Sequence, residues 1–165
     1  VDFCTGSGCI ALSLKSAYSE AKVLAVEKSK EAIAVAKDNA VSNQLEIELI
    51  ESDLLEAFPI FDFKVDLIVS NPPYIPYSEV EDIDQHVLAK EPHMALFVEN
   101  DKALVFYEAI MQWGVSALSE KGKIVFEINP NYAQELINLA SQMNYQSHMQ
   151  QDLQGKDRML TLSLL

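Results

Sequence analysis

The tetrapeptide Asn71-Pro72-Pro73-Tyr74 follows the apolar run Val65-Asp66-Leu67-Ile68-Val69-Ser70 and joins residue types that suit one kind of chemistry. Neither proline has an N–H, and each biases the residue before it toward extended backbone. Asn71 and Pro72 are therefore held stiffly, with their carbonyl groups free to accept. A planar amino or amide nitrogen carries two N–H bonds in one plane. The Asn71 side-chain oxygen and the Pro72 backbone oxygen can take one each, which leaves the π-face of the nitrogen open to an incoming methyl group. The same acceptors favour the positive charge that grows on nitrogen during alkylation. No strong general base is required, because the alkylated nitrogen becomes acidic and sheds its proton afterwards. Tyr74 can stack on the planar group. A purely structural reading, a rigid strand-ending turn with an aromatic plug, accounts for the prolines but not for Asn71 and Tyr74.

A second constellation lies near the start of the chain. Gly6-Ser7-Gly8-Cys9-Ile10-Ala11 fits the G-x-G-x-x-G/A pattern of a nucleotide-binding turn, and Glu27 follows at the end of the next apolar run, where a ribose acceptor is needed. Glycines let backbone approach a ligand and the helix that follows offers its first N–H groups. Asp2, just before the turn, would repel a pyrophosphate but welcome a cation. That favours S-adenosyl-L-methionine, with its positive sulfonium and ammonium, over a dinucleotide. Ser52-Asp53-Leu54, after the third apolar run, supplies what an adenine needs: an acceptor for its amino group and an apolar neighbour for its ring.

These residues need a scaffold that brings strand ends together. Short apolar runs alternate with amphipathic stretches, the signature of a mostly parallel sheet with helices on both faces. Strands are predicted at 1–4, 23–26, 47–50, 65–70, 123–128, 145–149 and 158–164. Helices are predicted at 9–18, from the Ser29 cap onward, at 102–118 and at 132–143. Ile33, Val35, Ala36 and Ala40 mark the inner face of the second helix; Leu104, Tyr107, Ile110, Met111, Val115 and Leu118 mark that of the third. Gly122 is read as ending the unit that precedes the fifth strand. Residues 75–100 show no clean period and form a long excursion from the C-terminal rim. The chain thus reads as one α/β domain over 1–165.

Composition narrows the function. The 165 residues carry a formal net charge of −13 with 49% hydrophobic residues, which suits a compact globule and does not suit a footprint on phosphate backbones. No run reaches the roughly 20 apolar residues of a membrane span. Cys4 and Cys9 are too few and too close for a disulfide framework, and a reducing, cytoplasmic setting is expected. No metal site is read: His86, His93 and His148 lack partners at ligand spacing. Trp113 is expected to pack, Glu91 reads equally as ordering the excursion near the pocket or as solvated, and Arg158, after Gly155-Lys156-Asp157, reads as a hairpin arm that could face a substrate.

Taken together, Asp2-x-Cys4-Thr5-Gly6-Ser7-Gly8, Glu27, Ser52-Asp53 and Ser70-Asn71-Pro72-Pro73-Tyr74-Ile75-Pro76 resemble the class I S-adenosylmethionine-dependent methyltransferases of the HemK/PrmC type. The resemblance continues through Glu91-Pro92-His93-Met94-Ala95-Leu96, Phe126-Glu127-Ile128 and Asp152-Leu153-Gln154-Gly155-Lys156-Asp157-Arg158, in order along the chain. It implies a seven-stranded, mostly parallel sheet with an antiparallel last strand. It also implies methyl transfer to the side-chain amide nitrogen of the glutamine in the Gly-Gly-Gln motif of peptide chain release factors. The cofactor contacts it implies are Asp2, Cys4, Thr5, Gly6, Ser7, Gly8, Glu27, Asp53, Leu54 and Asn71, with Asn71, Pro72, Pro73 and Tyr74 around the reacting glutamine. Cys4 stands where glycine is commoner, Glu27 where aspartate is, and Leu54 where an aromatic is frequent. The resemblance further implies a monomer acting on a protein partner, with no direct contact to nucleic acid or membrane. Family members carry an N-terminal helical domain that grips the release factor, and the chain is expected to be the catalytic part of such a protein.

Other readings use fewer of these residues. A ribosomal-protein glutamine as acceptor shares the same chemistry. Methylation of exocyclic amino groups in DNA or rRNA needs a basic groove and a flipped base. A nicotinamide oxidoreductase rests on the glycine turn alone, and a cofactor-free binding module leaves every motif without work.

Overall fold

The structure, a computed structural model, describes residues 1–82 and 96–165. Seven strands form one sheet: β1 (Asp2–Phe3), β2 (Leu24–Glu27), β3 (Glu48–Glu51), β4 (Val65–Ser70), β7 (Leu118–Glu127), β8 (Tyr145–Gln151) and β9 (Asp157–Leu164). Their order across the sheet is β3-β2-β1-β4-β7-β9-β8. The pairs β3/β2, β2/β1, β1/β4 and β4/β7 are parallel, while β9 runs antiparallel to both β7 and β8. The expected seven-stranded sheet with an antiparallel last strand is what the chain forms. Two further strands, β5 (Ile75–Pro76) and β6 (Phe97–Val98), pair in parallel as a small separate sheet.

Helices α1 (Cys9–Ala17), α2 (Lys30–Asn43), α3 (Val105–Ala117) and α4 (Ala133–Gln142) pack around the sheet. Successive residues of a strand point to opposite faces, and β1 shows which helix lies on which. The Asp2 carboxylate meets α1 at the Ala11 N–H, whereas the Phe3 ring meets Trp113 of α3, edge to face at 5.1 Å. Phe58 stacks on the same Trp113, so this tryptophan packs as expected. Phe3, Ile68, Ile110, Met111, Ile124, Phe126 and Leu136 are fully buried in one continuous cluster. Each such side chain contributes about 1.5–3 kcal/mol by leaving water.

Local sequence explains the main boundaries. The Ser29 hydroxyl accepts from the Ala32 N–H and caps α2. Gly8, at φ 82°, starts α1 without a side-chain cap. Asp152 accepts from the Gln154 and Lys156 N–H groups and shapes the β8–β9 hairpin, with Gly155 at φ 78°.

Several boundaries differ from expectation. Strand β7 begins at Leu118, directly after α3, so Gly122 lies inside it. A Cβ there would come within 2.8 Å of the Val65 carbonyl oxygen, and the glycine serves close approach to β4 rather than helix termination. Val35 and Val115 sit on the helical stripes yet are 49% and 51% exposed, so neither belongs to the buried face of its helix. Among the described residues, no helix is long and apolar enough to cross a membrane. His86, Glu91, Pro92 and His93 lie outside the described residues.

Candidate active site

The C-terminal ends of β1, β2, β3 and β4 surround a cleft of about 530 Å³, within the range of small-molecule sites. The β1–α1 turn supplies one wall through Cys4, Thr5, Gly6 and Ser7, and the first turn of α1 adds Cys9 and Ile10. Gly6 adopts φ 54°, a left-handed conformation, with nothing within 4 Å of where a Cβ would be. Its glycine is required by backbone conformation and not by crowding. Cys4 holds a similar φ of 57° in spite of its side chain. Burial and the nearby Glu27 charge push its thiol up to about 12, so it is an inert packing group.

Glu27 fastens the turn to the neighbouring strand. Its Oε2 accepts from the Gly6 N–H at 2.9 Å, and its Oε1 accepts from the N–H groups of Lys28 and Ser29 at 2.9 and 3.0 Å. A carboxylate has about four acceptor positions, so the side chain keeps capacity for hydroxyl groups in the cleft.

Asp53 follows β3 on the opposite wall. Its Oδ1 accepts from the Leu55 N–H at 3.0 Å, and its Oδ2 lies 2.6 Å from Lys28 Nζ. Burial pushes this carboxyl up, but the Lys28 and Leu55 hydrogen bonds together with the Lys28 charge outweigh it and hold the group below its ordinary value. Leu54, 5% exposed, forms apolar floor. Asn71 and Pro73 enter from the end of β4. Thus Cys4, Thr5, Gly6, Ser7, Glu27, Asp53, Leu54, Asn71 and Pro73 meet on one cleft.

Four of the expected residues stand elsewhere. Asp2 is fully buried behind the turn, where its Oδ2 accepts from the Thr5 hydroxyl and from the Ala11 N–H. It shapes the turn from beneath instead of facing the cleft. Gly8 lies against α2: a Cβ there would come within 3.1 Å of the Ala36 Cβ. From the same helix, Asn39 Nδ2 donates to the Ser7 carbonyl at 2.9 Å, so α2 clamps the turn. Pro72 is buried and is not among the residues that line the cleft.

Tyr74 turns toward β7. Its hydroxyl donates to Glu127 Oε1 at 3.3 Å, while Tyr107 donates to the Glu127 backbone oxygen at 3.0 Å. Burial and the Glu127 charge raise the Tyr74 phenol above its usual range, with Arg158 pulling the other way. Beyond Tyr74, Glu79 accepts from Asn129 Nδ2 at 3.2 Å and from the Tyr132 hydroxyl at 3.3 Å. Two carboxylates therefore tie the segment after β4 to the end of β7.

Sequence reasoning missed Phe106, Leu96, Lys28 and Ala32, which also line the cleft. Phe106 sits off the Tyr107–Ile110–Met111 stripe, and an aromatic off the buried face of a helix was the available signal. Among the described residues, no group of three or more His, Cys, Asp or Glu is placed to hold a metal ion.

Comparisons with known proteins agree with this geometry. Residues 1–96 match the family described as methyltransferase small domain. A protein of Flavobacterium psychrophilum named release factor glutamine methyltransferase is 39% identical over 99% of this chain and 57% of its own length. A protein of the same name from Bacteroides thetaiotaomicron is 39% identical over 98% of this chain and 58% of its own. The chain thus spans less than two thirds of these relatives. The crystal structure of a ribosomal protein L11 methylase from Lactobacillus delbrueckii subsp. bulgaricus superposes with a TM-score of 0.68 at 23% identity, covering 99% of this chain and 68% of that one. Its fold is shared: the sheet described above is that of the class I S-adenosylmethionine-dependent methyltransferases. With its glycine turn, its strand-end carboxylates and more than half of its length matched, the chain belongs to the methyltransferase small domain family.

Proposed function

We propose that this chain is the catalytic domain of an S-adenosylmethionine-dependent enzyme that methylates the side-chain amide nitrogen of the glutamine in the Gly-Gly-Gln motif of peptide chain release factors. The observation that carries the reading is the convergence of Gly6, Glu27, Asp53 and Asn71 on one cleft. The names of relatives 39% identical to nearly the whole chain support the same substrate. In this reading the protein works in the cytoplasm as a monomer, and a preceding helical domain helps to grip the release factor.

The donor set of the cleft fits the cofactor. A backbone turn opened by Gly6 would admit the amino-acid part, the Glu27 carboxylate would accept from ribose hydroxyls, and Asp53 with Leu54 would offer an adenine an acceptor and an apolar surface. S-adenosylmethionine, when bound, supplies a methyl group on a positively charged sulfur. The chain's own residues then hold the acceptor. Asn71 Oδ1 takes one N–H of the glutamine amide and the Pro72 carbonyl takes the other, so the nitrogen is fixed in plane and stabilised as it becomes positive.

The experiment is mass spectrometry of a release factor after incubation with the protein and S-adenosylmethionine. A gain of one methyl on the glutamine of the Gly-Gly-Gln segment is expected, and Asn71→Ala should slow it by about 100-fold or more. Methylation of a ribosomal protein with the release factor left unmodified would overturn the substrate assignment. Near-normal turnover by the variant would overturn the role of Asn71.

A further inference from the structure

The sheet places two oppositely charged side chains beside the Asn71–Tyr74 segment that the methyl-transfer chemistry does not use. In the β4/β7 register Ser70 faces Phe126, so the next residues, Asn71 and Glu127, leave the sheet side by side. Glu127 is fixed at its carboxylate by Tyr74 and at its backbone oxygen by Tyr107. Arg158 enters the same rim from the start of β9: its backbone oxygen accepts from the Ile128 N–H at 2.9 Å, and its Nη1 donates to the Ile128 carbonyl at 3.4 Å. Its Nε lies 3.5 Å from Asp152 Oδ2, and the two side chains remain 32% and 27% exposed. The guanidinium is thus oriented by the β8–β9 hairpin and still reachable from solvent. It also meets the Tyr74 hydroxyl, and with five N–H donors it has more than these three contacts engage.

We propose that Glu127 and Arg158 form a polar fork that binds the main chain of the substrate peptide on the glycine side of the acceptor glutamine. The inference rests on the glutamine reading above. Two glycines before the acceptor offer no side chains, so only peptide N–H and C=O groups can be recognised there. A carboxylate accepts from the N–H and a guanidinium donates to the C=O, the two complementary functions. Both converge on the Tyr74 hydroxyl, which donates to Glu127 Oε1 at 3.3 Å and also meets Arg158. The fork is a specificity device: a bulkier residue in place of a glycine would hold the main chain away from it.

The test uses a Gly-Gly-Gln peptide, the same peptide with N-methylglycine before the glutamine, and the protein with Glu127→Ala, Arg158→Ala or Arg158→Lys. Thermal melts and S-adenosylmethionine binding check that each variant is folded. The peptide KM is expected to rise about tenfold in either alanine variant, the loss of one charged hydrogen bond, with kcat changing much less. Arg158→Lys should recover only part of the loss. N-methylglycine should weaken the wild-type peptide interaction about tenfold and add little to the defect of Glu127→Ala. Unchanged peptide KM in the alanine variants, or fully additive losses with the N-methylated peptide, would overturn the fork while leaving glutamine methylation in place. A wild-type protein that transfers no methyl to glutamine would overturn both.

Discussion

Lys28 Nζ stands 2.6 Å from Asp53 Oδ2, an ion pair that joins the ends of β2 and β3 along one wall of the cleft. Lys28 is 61% exposed and Asp53 only 15%, so the two partners have different tasks. An exposed lysine in such a pair adds about 0–1 kcal/mol to stability. In the proposed reading the half-buried carboxylate, held charged and aimed by Lys28 and the Leu55 N–H, is the group a bound adenine would meet.

Asp53→Ala is therefore expected to weaken S-adenosylmethionine about tenfold, the worth of one hydrogen bond to a charged acceptor. Lys28→Ala should lower the melting temperature by no more than about 4 °C. Isothermal titration and thermal melts separate the two effects. Unaltered cofactor affinity in Asp53→Ala would remove the residue from the site.

The two glycines of the turn differ in what surrounds them, and alanine substitutions should differ accordingly. At Gly6 only the left-handed backbone opposes a Cβ, at a cost of about 1 kcal/mol. At Gly8 the same penalty is joined by a 3.1 Å approach to the Ala36 Cβ on a packed helix. Gly8→Ala should cost about 2–4 kcal/mol, since neither α1 nor α2 can yield alone. Urea denaturation of both variants checks the order, and a larger loss at Gly6 would contradict it.

How far the residues alone disclose this arrangement depends on the range of the forces involved. The long strand β4 and the helices α2 and α3 announce themselves through periodicity, and the Gly6 turn and Asn71–Tyr74 through residue types at fixed local spacing. The two-residue strands β5 and β6 have no period to read. The orientation of Tyr74 is set by Glu127, a partner 53 residues away, so the sequence suggests a ring stacked on substrate while the fold shows a hydroxyl tethered to the next strand. Likewise Asp2 reads as a ligand contact until the sheet closes over it and its partners prove to be Thr5 and Ala11. Local motifs identify chemistry, and tertiary pairing decides which side chain faces the cleft.

That buried carboxylate gives the fold a pH dependence whose sign can be derived. Burial raises Asp2 from 3.8 to about 6, against the Thr5 and Ala11 hydrogen bonds that favour its charged form. One of its oxygens, Oδ1, has no hydrogen-bond partner among the described residues. Between these two values the folded protein keeps a proton on Asp2 that the unfolded chain releases. The folded state thus binds more protons there, and stability falls as pH rises through the window. A displacement of about two pH units corresponds to about 3 kcal/mol. Asp2→Asn keeps the shape and removes the titration. The stability difference between Asp2→Asn and wild type, measured by urea denaturation, should therefore shift in favour of the variant by about 3 kcal/mol between pH 3.5 and 6.5 and level off above. Other titrating groups are common to both proteins and cancel in this difference. A difference that stays constant across the window would mean that Asp2 ionises in the fold as it does in the unfolded chain.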